Sequence, residues 1–328
     1  MRLQNDMNDR FAGMSFICAM LIVFLHGGIR LWGLVEIAVP WFFFAAGYFL
    51  AKHLVEDGWW KREVCKRIWS LLIPFWIWGL IGLAHAVIVH YGVIWAGYSI
   101  NMPDVIDTFG WNTVANLAGF NFLGNIGHLW FIRTLFLFTA ISPMFVLGSR
   151  CVKLIEVVVL FVAYIMEVIF VDRSPVIGNF FEYGFSLRGL AYYVLGLYFR
   201  QYRVPCNFAR HICMVAGISG FLMMMVASMW IECVVLKIVA VPFLIIFLLE
   251  VAGMFNKMKA FSFPIYLMHM EFLIMGSSVL GMFGIRTTEI GTGLRLIRIA
   301  FAIAGSIGIT LCLRRIVPCV VRILFGGR

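Results

Sequence analysis

The sequence predicts an all-α, polytopic membrane protein of about ten transmembrane helices with both termini in the cytoplasm. Hydrophobic residues make up 63% of the 328 residues and charged residues only 13%, whereas soluble domains are roughly 45–50% apolar. The apolar residues recur in continuous runs of about 20, the length at which a helix crosses a bilayer. Because the runs do not alternate with polar residues, they argue against a membrane β-barrel, and the composition excludes a soluble globular fold.

Positive charge alternates between successive loops and gives the predicted orientation. Most of the 26 Lys and Arg residues lie in the N-terminal tail, the even-numbered loops and the C-terminal end, while the last odd-numbered loop is mildly basic through Arg286, Arg295 and Arg298. Cytoplasmic loops retain Lys and Arg, so the even-numbered loops are assigned to the cytoplasm. This retention explains the net charge of +10, so the charge does not indicate a nucleic-acid partner. The ten spans are predicted at roughly 12–32, 35–53, 68–90, 126–148, 152–171, 185–200, 209–230, 234–254, 262–284 and 296–324.

The first two spans contain the most informative stretch. His26 lies about 14 residues into the first span, roughly 21 Å along it, which predicts a place in the outer half of the membrane. An imidazole within such an apolar run needs a hydrogen-bond partner or has a functional role. A Gly-Gly turn follows His26, and the second span ends near Tyr48. No small-residue cleavage site follows the first apolar run, so we expect it to remain as a span.

Two loops have alternative interpretations. The loop 52–67 combines Trp residues with Lys61, Arg62, Lys66 and Arg67. It is either an ordinary anchor at the lipid surface or a landing site for a phosphorylated cytosolic cofactor. The longest connection, 91–125, has no basic residue and is either a functional lid or a passive cap. We expect no attached soluble domain and a single transmembrane domain over residues 1–328.

The fourth span opens with polar and aromatic residues. His128 and Trp130 are predicted at the outer interface, where an aromatic anchor is the simplest role for Trp130. Arg133 lies one turn deeper and cannot lose its charge, so it must pair, snorkel or bind an anion or polar ligand. Its predicted depth is close to that of His26, so we expect these two side chains to share a cavity.

The ninth span carries a second histidine. Pro264 is predicted in the first turn, where proline is normal, and Tyr266 and His269 are three residues apart and share a face. Because this span runs from inside to outside, His269 is predicted in the inner half of the membrane. The eight cysteines show no CxxC spacing, so neither a disulfide framework nor a metal site is predicted.

Seven short motifs occur in order along the chain. They read VFLH at 23–26, AVPWFFFAAGY at 38–48, LLIPFWIW at 71–78, HLWFIR at 128–133, YVLGLY at 193–198, SFPIYLMH at 262–269 and GGR at 326–328. Together they cover nearly the whole chain, and the set resembles the acyltransferase-3 family of bacterial membrane acyltransferases.

This resemblance implies transfer of an acyl group, usually acetyl from acetyl-CoA, to a hydroxyl of an extracytoplasmic or lipid-linked glycan. The partners it implies are therefore a carbohydrate or glycolipid acceptor and the lipid bilayer of the bacterial cytoplasmic (inner) membrane. The family's catalytic histidine, at the end of the first span, corresponds to His26. Many members carry arginine eleven residues before that histidine, and this chain has Ser15 there. Ala45 and Ala46 stand where serine usually precedes the glycine.

The implied chemistry assigns a role to each candidate residue. His26 would act as the general base on the acceptor hydroxyl, and Arg133 would stabilise the developing oxyanion. Further oxyanion or substrate-binding candidates are His128, Trp130, Tyr48, Tyr266 and His269. The candidates for binding acetyl-CoA or another acyl-CoA are Arg10, Lys61, Arg62, Lys66 and Arg67. No metal is expected.

Two other functions remain open from the sequence. Polar residues dispersed through a helix bundle could line the passage of a glycolipid or polysaccharide transporter or flippase, although no inverted repeat is evident. A non-catalytic member of the family could instead bind a glycolipid or a partner. The sequence also leaves open whether the chain forms homo-oligomers.

Overall fold

A computed structural model describes residues 2–95, 127–146, 149–171, 185–202, 210–230, 233–285 and 290–327. These residues form α-helices joined by short 3-10 or π turns, and none of them forms a strand. The helices are α1 (Arg2–His26), α2 (Ala38–Leu50), α3 (Trp59–Arg67), α4 (Ile73–Trp95), α5 (Trp130–Ile141), α6 (Arg150–Val171), α7 (Leu187–Gln201), α8 (Arg210–Met229), α9 (Val234–Ala252), α10 (Lys259–Met282), α11 (Thr292–Ile316) and α12 (Pro318–Leu324).

Six apolar helical segments of the described chain are long enough to cross a membrane. They are Met7–His26, Leu31–His53, Trp59–His85, His211–Met229, Val234–Met282 and Thr292–Ile316. A shorter apolar segment, Trp130–Phe145, accompanies them. The predicted class, an all-helical multi-pass membrane protein, is confirmed. The count of ten spans and the orientation stay predictions, and the predicted loop 91–125 lies almost entirely outside the described residues.

Several predicted boundaries were wrong because local stop signals are stronger than hydropathy. The first span ends at His26, six residues early, because Gly28 adopts a left-handed conformation with φ of 84°. The N–H of Gly28 donates to Leu25 O and that of Ile29 to Phe24 O, which is the Schellman pattern of a helix end. The tenth predicted span breaks at Val317, where Pro318 starts the separate helix α12.

Pro264 was also misplaced, because α10 begins at Lys259 and contains this proline in its interior. A proline has no N–H, so it leaves the carbonyl four residues earlier without its helical donor. That carbonyl belongs to Ala260, and Arg314 Nη2 donates to it over 2.9 Å. A side chain of α11 therefore repairs the gap in α10 and joins the two helices.

Helix α1 lies at the centre of the bundle and packs closely through small residues. A Cβ on Gly13 would lie 1.7 Å from the carbonyl oxygen of Ala252 at the end of α9. The rings of Phe16 and Phe255 are 6.1 Å apart, so the turn Gly253–Met258 packs beside the middle of α1. Helices α2 and α7 approach equally closely, since a Cβ on Gly47 would lie 1.9 Å from Tyr193 O. Small residues permit such close helix contacts in membranes.

Candidate active site

His26 is the last residue of α1 and is exposed. The Schellman turn that follows it satisfies the carbonyls of Val23, Phe24 and Leu25 with backbone N–H groups. The imidazole thus lies at a fixed helix terminus. The Gly-Gly pair seen in the sequence is the local reason for this placement.

Three histidines from three different helical segments meet at this terminus. The ring centroids of His26 and His269 are 5.2 Å apart, and those of His128 and His269 are 5.0 Å apart. His269 is fully buried and His128 is 5% exposed. We call His26, His128 and His269 the histidine cluster. The sequence did not predict it, because it placed His26 and His269 in opposite halves of the membrane.

That difference in predicted depth was wrong, and packing explains why. Since Phe16 is level with Phe255, His26 lies ten residues, about 15 Å, beyond the turn Gly253–Met258. His269 lies eleven residues into α10, which starts directly after that turn. Both side chains therefore lie at the same depth, about half of the roughly 30 Å hydrocarbon core from the turn.

Backbone hydrogen bonds fix how the two buried imidazoles present their nitrogens. His269 Nδ1 lies 2.7 Å from Tyr266 O and 3.2 Å from Ile265 O. His128 Nε2 lies 3.1 Å from Leu267 O. Because a carbonyl oxygen only accepts, each of these nitrogens carries the hydrogen, and we infer that the other nitrogen of each neutral ring is an acceptor.

These two acceptor nitrogens have no hydrogen-bond partner among the described residues. His269 Nε2 and His128 Nδ1 are both buried, and leaving a buried polar atom unpaired costs about 1–3 kcal/mol. Unpaired buried groups of this kind occur where a ligand or water completes the site. Because a hydroxyl group carries a single hydrogen, these two acceptor nitrogens match a ligand with more than one hydroxyl group.

A cavity of about 360 Å³ leads toward the cluster. Its lining includes Arg67, Lys259 and Tyr266. The helix that carries Arg67 contacts the end of α5 through Trp60 and Ala140, whereas Tyr266 contacts Phe131 near the start of α5. Lys259 begins α10, and Tyr266 lies seven residues, about 10 Å, further along that helix. Most of the remaining wall is apolar, with Ser15, Ala45 and Ala46 among the small residues that line it.

Tyr266 separates this cavity from the histidine cluster. Its hydroxyl donates to the carbonyl of His128, and its ring centroid lies 6.0 Å from that of His128 and 6.1 Å from that of His269. Phe131 packs edge-on against the same ring at 5.7 Å. Tyr266 therefore touches both the cavity and the cluster, and its role in substrate binding stays a prediction.

Two buried polar atoms on the cavity wall have no hydrogen-bond partner within the described chain. They are Nε of Arg67 and Oγ of Ser262. The nearest carboxylate to Arg67 belongs to Glu63, whose Oε2 is 4.0 Å from Nε. The cavity therefore offers two donors to a ligand that carries acceptor oxygens. Sequence reasoning missed Ser262, because a serine at a helix start carries no functional signal of its own.

The other predicted cofactor-binding residues have different surroundings. Arg62 pairs with Glu56, and Lys66 Nζ lies 3.6 Å from Glu63 Oε1. Arg10 Nη1 donates to Glu250 Oε2 over 2.7 Å. Of the five, Arg67 lines the cavity, and Lys61 is exposed on α3.

The loop carboxylate that pairs with Arg62 has a perturbed pKa. A hydrogen bond from His53, followed by the charge of Arg62, holds the pKa of Glu56 below its usual value. Glu56 therefore stays ionised near neutral pH and remains an ion-pair partner for Arg62.

Neither Arg133 nor His26 lines this cavity, and the predicted cavity shared by these two side chains stays a prediction. Helix α5 contributes Phe131, Ile132 and Leu135 to the wall. At 100° per residue, Arg133 lies about 200° around the helix from both Phe131 and Leu135. It is 7% exposed, on the side of α5 that faces away from the cavity.

The rings of Trp130 and Tyr48 pack against other aromatic rings. The Trp130 ring lies 6.1 Å from that of Phe43. The Tyr48 ring lies 4.5 Å from that of Phe11, and its hydroxyl accepts a hydrogen bond of 3.0 Å from Arg200 Nη1. Their predicted role in substrate binding remains untested.

Comparison with known proteins adds an independent finding. A family model described as an acyltransferase domain matches residues 10–315. That match includes the histidine cluster and every residue that lines the cavity. No curated protein and no solved structure matches the chain. Among the described residues, no group of three or more His, Cys, Asp or Glu side chains is arranged to hold a metal ion.

Proposed function

The chain belongs to the acyltransferase-3 family, and from that premise we propose that it is an O-acyltransferase of the bacterial cytoplasmic membrane. It moves an acyl group, acetyl in the simplest case, from acyl-CoA to a hydroxyl of a cell-surface or lipid-linked carbohydrate. The observation that carries the proposal is a cavity with cations at one end and a histidine cluster beyond the other. A thioester donor and a hydroxyl acceptor need these two environments.

The cavity suits the narrow arm of an acyl-CoA. Arg67 and Lys259 supply positive charge at one end, where the phosphates of the donor would bind. Arg67 Nε and Ser262 Oγ are free to donate to the amide carbonyls of the pantetheine arm. A volume of about 360 Å³ lies within the usual range of small-molecule pockets, roughly 300–1,000 Å³.

The histidine cluster supplies the proton chemistry. We assign His26 as the general base that takes the proton of the acceptor hydroxyl while its oxygen attacks the thioester carbonyl. A carbon–oxygen bond forms, the carbon–sulfur bond breaks, and the CoA sulfur leaves and takes up the proton. His269 and His128 accept hydrogen bonds from other hydroxyl groups of the carbohydrate. Arg133 remains the predicted partner of the oxyanion.

The proposed topology has ten spans. Val234–Met282 contains two helices, α9 of 19 residues and α10 of 24 residues, about 28 and 36 Å long, and each can cross a core of about 30 Å. The six long segments thus give seven passes, and α6, α7 and the short segment Trp130–Phe145 give three more. With both termini in the cytoplasm, Arg67 and Lys259 face the side on which acyl-CoA is made. His26 then lies near the middle of the bilayer instead of in its outer half.

Label transfer tests the proposal directly. The purified protein would be mixed with radiolabelled acetyl-CoA and a pool of glycans, and labelled glycan would be measured. We expect His26→Ala to lower the transfer rate by about 100-fold or more, as loss of a general base does. His211→Ala is the matched control, because His211 is exposed on α8, and it should transfer label at the wild-type rate.

The alternatives have separate outcomes in the same preparation. Equal labelling by His26→Ala and wild type would show that His26 is not the general base. Movement of a glycolipid across vesicles without acyl-CoA would favour a transporter. Binding of acetyl-CoA without any transfer would favour a non-catalytic member of the family.

A further inference from the structure

Two arginines of α11 contact the turn that follows His26. Arg298 Nη2 donates to the carbonyl of Gly27 over 3.4 Å, and Arg295 Nη1 donates to the carbonyl of Gly28 over 3.0 Å. Carbonyls at a helix C-terminus have no partner inside the helix and depend on other donors. The sequence placed both arginines in a mildly basic loop, whereas both lie within α11.

Arg298 also reaches the helix that carries His269. Its Nη1 donates to Ser277 Oγ of α10 over 3.0 Å. The side chain passes over Gly276, where a Cβ would lie 2.9 Å from Arg298 Cγ. Ser277 is eight residues, about 12 Å, beyond His269 on the same helix. One guanidinium therefore connects the helix of His269 with the turn of His26.

The face of α11 that carries these arginines fits the turn closely. Arg295, Arg298, Ile299 and Ala302 follow the i, i+3, i+4, i+7 spacing of a single helix face. Ile299 is 2% exposed, and a Cβ on Gly27 would lie 2.3 Å from its Cγ1. The turn is thus held by a side-chain contact and by two charged donors.

The charges of the two arginines are directed at α1. Within the described chain, no carboxylate lies within salt-bridge distance of Arg295 or Arg298. Their partners are Ser277 and the carbonyls of Gly27, Gly28 and Ile290. Cations near a helix C-terminus interact favourably with the helix dipole, so both arginines stabilise the end of α1.

We propose that Arg298, assisted by Arg295, is a positioning residue that holds the turn after His26 and thereby fixes the separation of His26 and His269. Its consequence for rate rests on the proposed function, but its consequence for the turn does not. Without Arg298, the turn at the end of α1 loses its hydrogen-bonded link to α10. His26 then leaves the position at which it and His269 contact the same ligand.

The test compares Arg298→Ala and Arg298→Lys with Arg315→Ala in lipid nanodiscs. Arg315 is an exposed arginine of the same helix and serves as the matched control. Hydrogen–deuterium exchange is measured on the peptide that contains Gly27, Gly28 and Ile29, whose N–H groups are bonded in the turn. Transfer kinetics are measured with labelled acetyl-CoA.

We expect the exchange of this peptide to become about tenfold faster in Arg298→Ala, because its local opening becomes easier. We expect kcat to fall by about 10- to 100-fold, since a displacement of about 1 Å can cost that much, while KM for acetyl-CoA stays within about twofold. Arg298→Lys retains the positive charge and a single donor nitrogen, so it should restore part of both losses. Arg315→Ala should match the wild type.

Two results would overturn the inference. One is unchanged exchange at Gly27–Ile29 in Arg298→Ala. The other is a raised KM with unchanged kcat, which would make the guanidinium a substrate-binding group. If the wild-type protein transfers no acyl group, the proposed function fails, and the exchange measurement alone still decides whether Arg298 holds the turn.

Discussion

At the residue scale, Ser262 offers a way to separate ligand binding from folding. Its Oγ is buried on the cavity wall without a hydrogen-bond partner among the described residues. Removing an unpaired buried hydroxyl loses no interaction of the folded protein and is close to neutral for stability. We expect Ser262→Ala to keep the wild-type melting temperature and to raise KM for acetyl-CoA by about 5- to 10-fold, the equivalent of one hydrogen bond of about 1 kcal/mol.

Ser306→Ala is the control for this variant. Ser306 is also buried, but its Oγ donates to Ala302 O over 2.7 Å within α11, away from the cavity. It should leave KM unchanged. Equal KM values for Ser262→Ala and wild type would mean that the donor does not occupy this cavity as proposed.

The histidines show how far single residues could be predicted from the sequence. His26 stood out because it interrupts an apolar run and precedes two glycines. His128 and His269 were found as candidates, but not as its neighbours. Their meeting depends on contacts such as Phe16 with Phe255, which join residues more than 200 positions apart. No local sequence pattern encodes such a contact. The depth of each histidine in the membrane could therefore be predicted only by counting residues along its own span.

At the element scale, the contact between α1 and α9 depends on a glycine that no larger residue can replace. A Cβ on Gly13 would lie 1.7 Å from the backbone oxygen of Ala252, and backbone cannot rotate away as a side chain can. We expect Gly13→Ala to force the two helices apart and to destabilise the protein by about 1–3 kcal/mol or more, the usual cost of overpacking. The loss would be measured as a lower melting temperature in detergent.

Gly308→Ala provides the comparison. Gly308 lies within α11, and a Cβ on it would have no atom of the described chain within 4 Å. Alanine should therefore be tolerated there and improve helix propensity by about 1 kcal/mol at most. A melting temperature for Gly13→Ala as high as that of Gly308→Ala would contradict the close packing of α1 on α9.

Helices could be predicted where their hydropathy determines them. They could not be predicted where a contact with a distant helix determines their ends or interior. The apolar runs gave the correct class and most helices. The interior position of Pro264 could not be predicted. Helix α10 continues through this proline because Arg314 donates a hydrogen bond to the carbonyl of Ala260, which has no helical donor. The close fit of Gly27 against Ile299 likewise depends on a helix about 270 residues away in the chain.

At the scale of the whole molecule, the orientation determines what the cavity can do. Its cationic end contains Arg67 and Lys259, and only a cytoplasmic position gives that end access to acyl-CoA. The positive-inside rule predicts that position. Cys65 lies on α3, two residues from Arg67, and is exposed. Cys233 precedes α9 and is half-exposed, at the end that is predicted to face outward.

These two cysteines therefore report the orientation. In variants that retain a single cysteine, a membrane-impermeant maleimide should label Cys233 in right-side-out spheroplasts and Cys65 only in inverted vesicles. Labelling of both after detergent solubilisation checks that each thiol can react. The reverse pattern would place Arg67 and Lys259 outside the cytoplasm. Acyl-CoA could then not enter from that end, and the proposed path from a cytosolic donor to His26 would be lost.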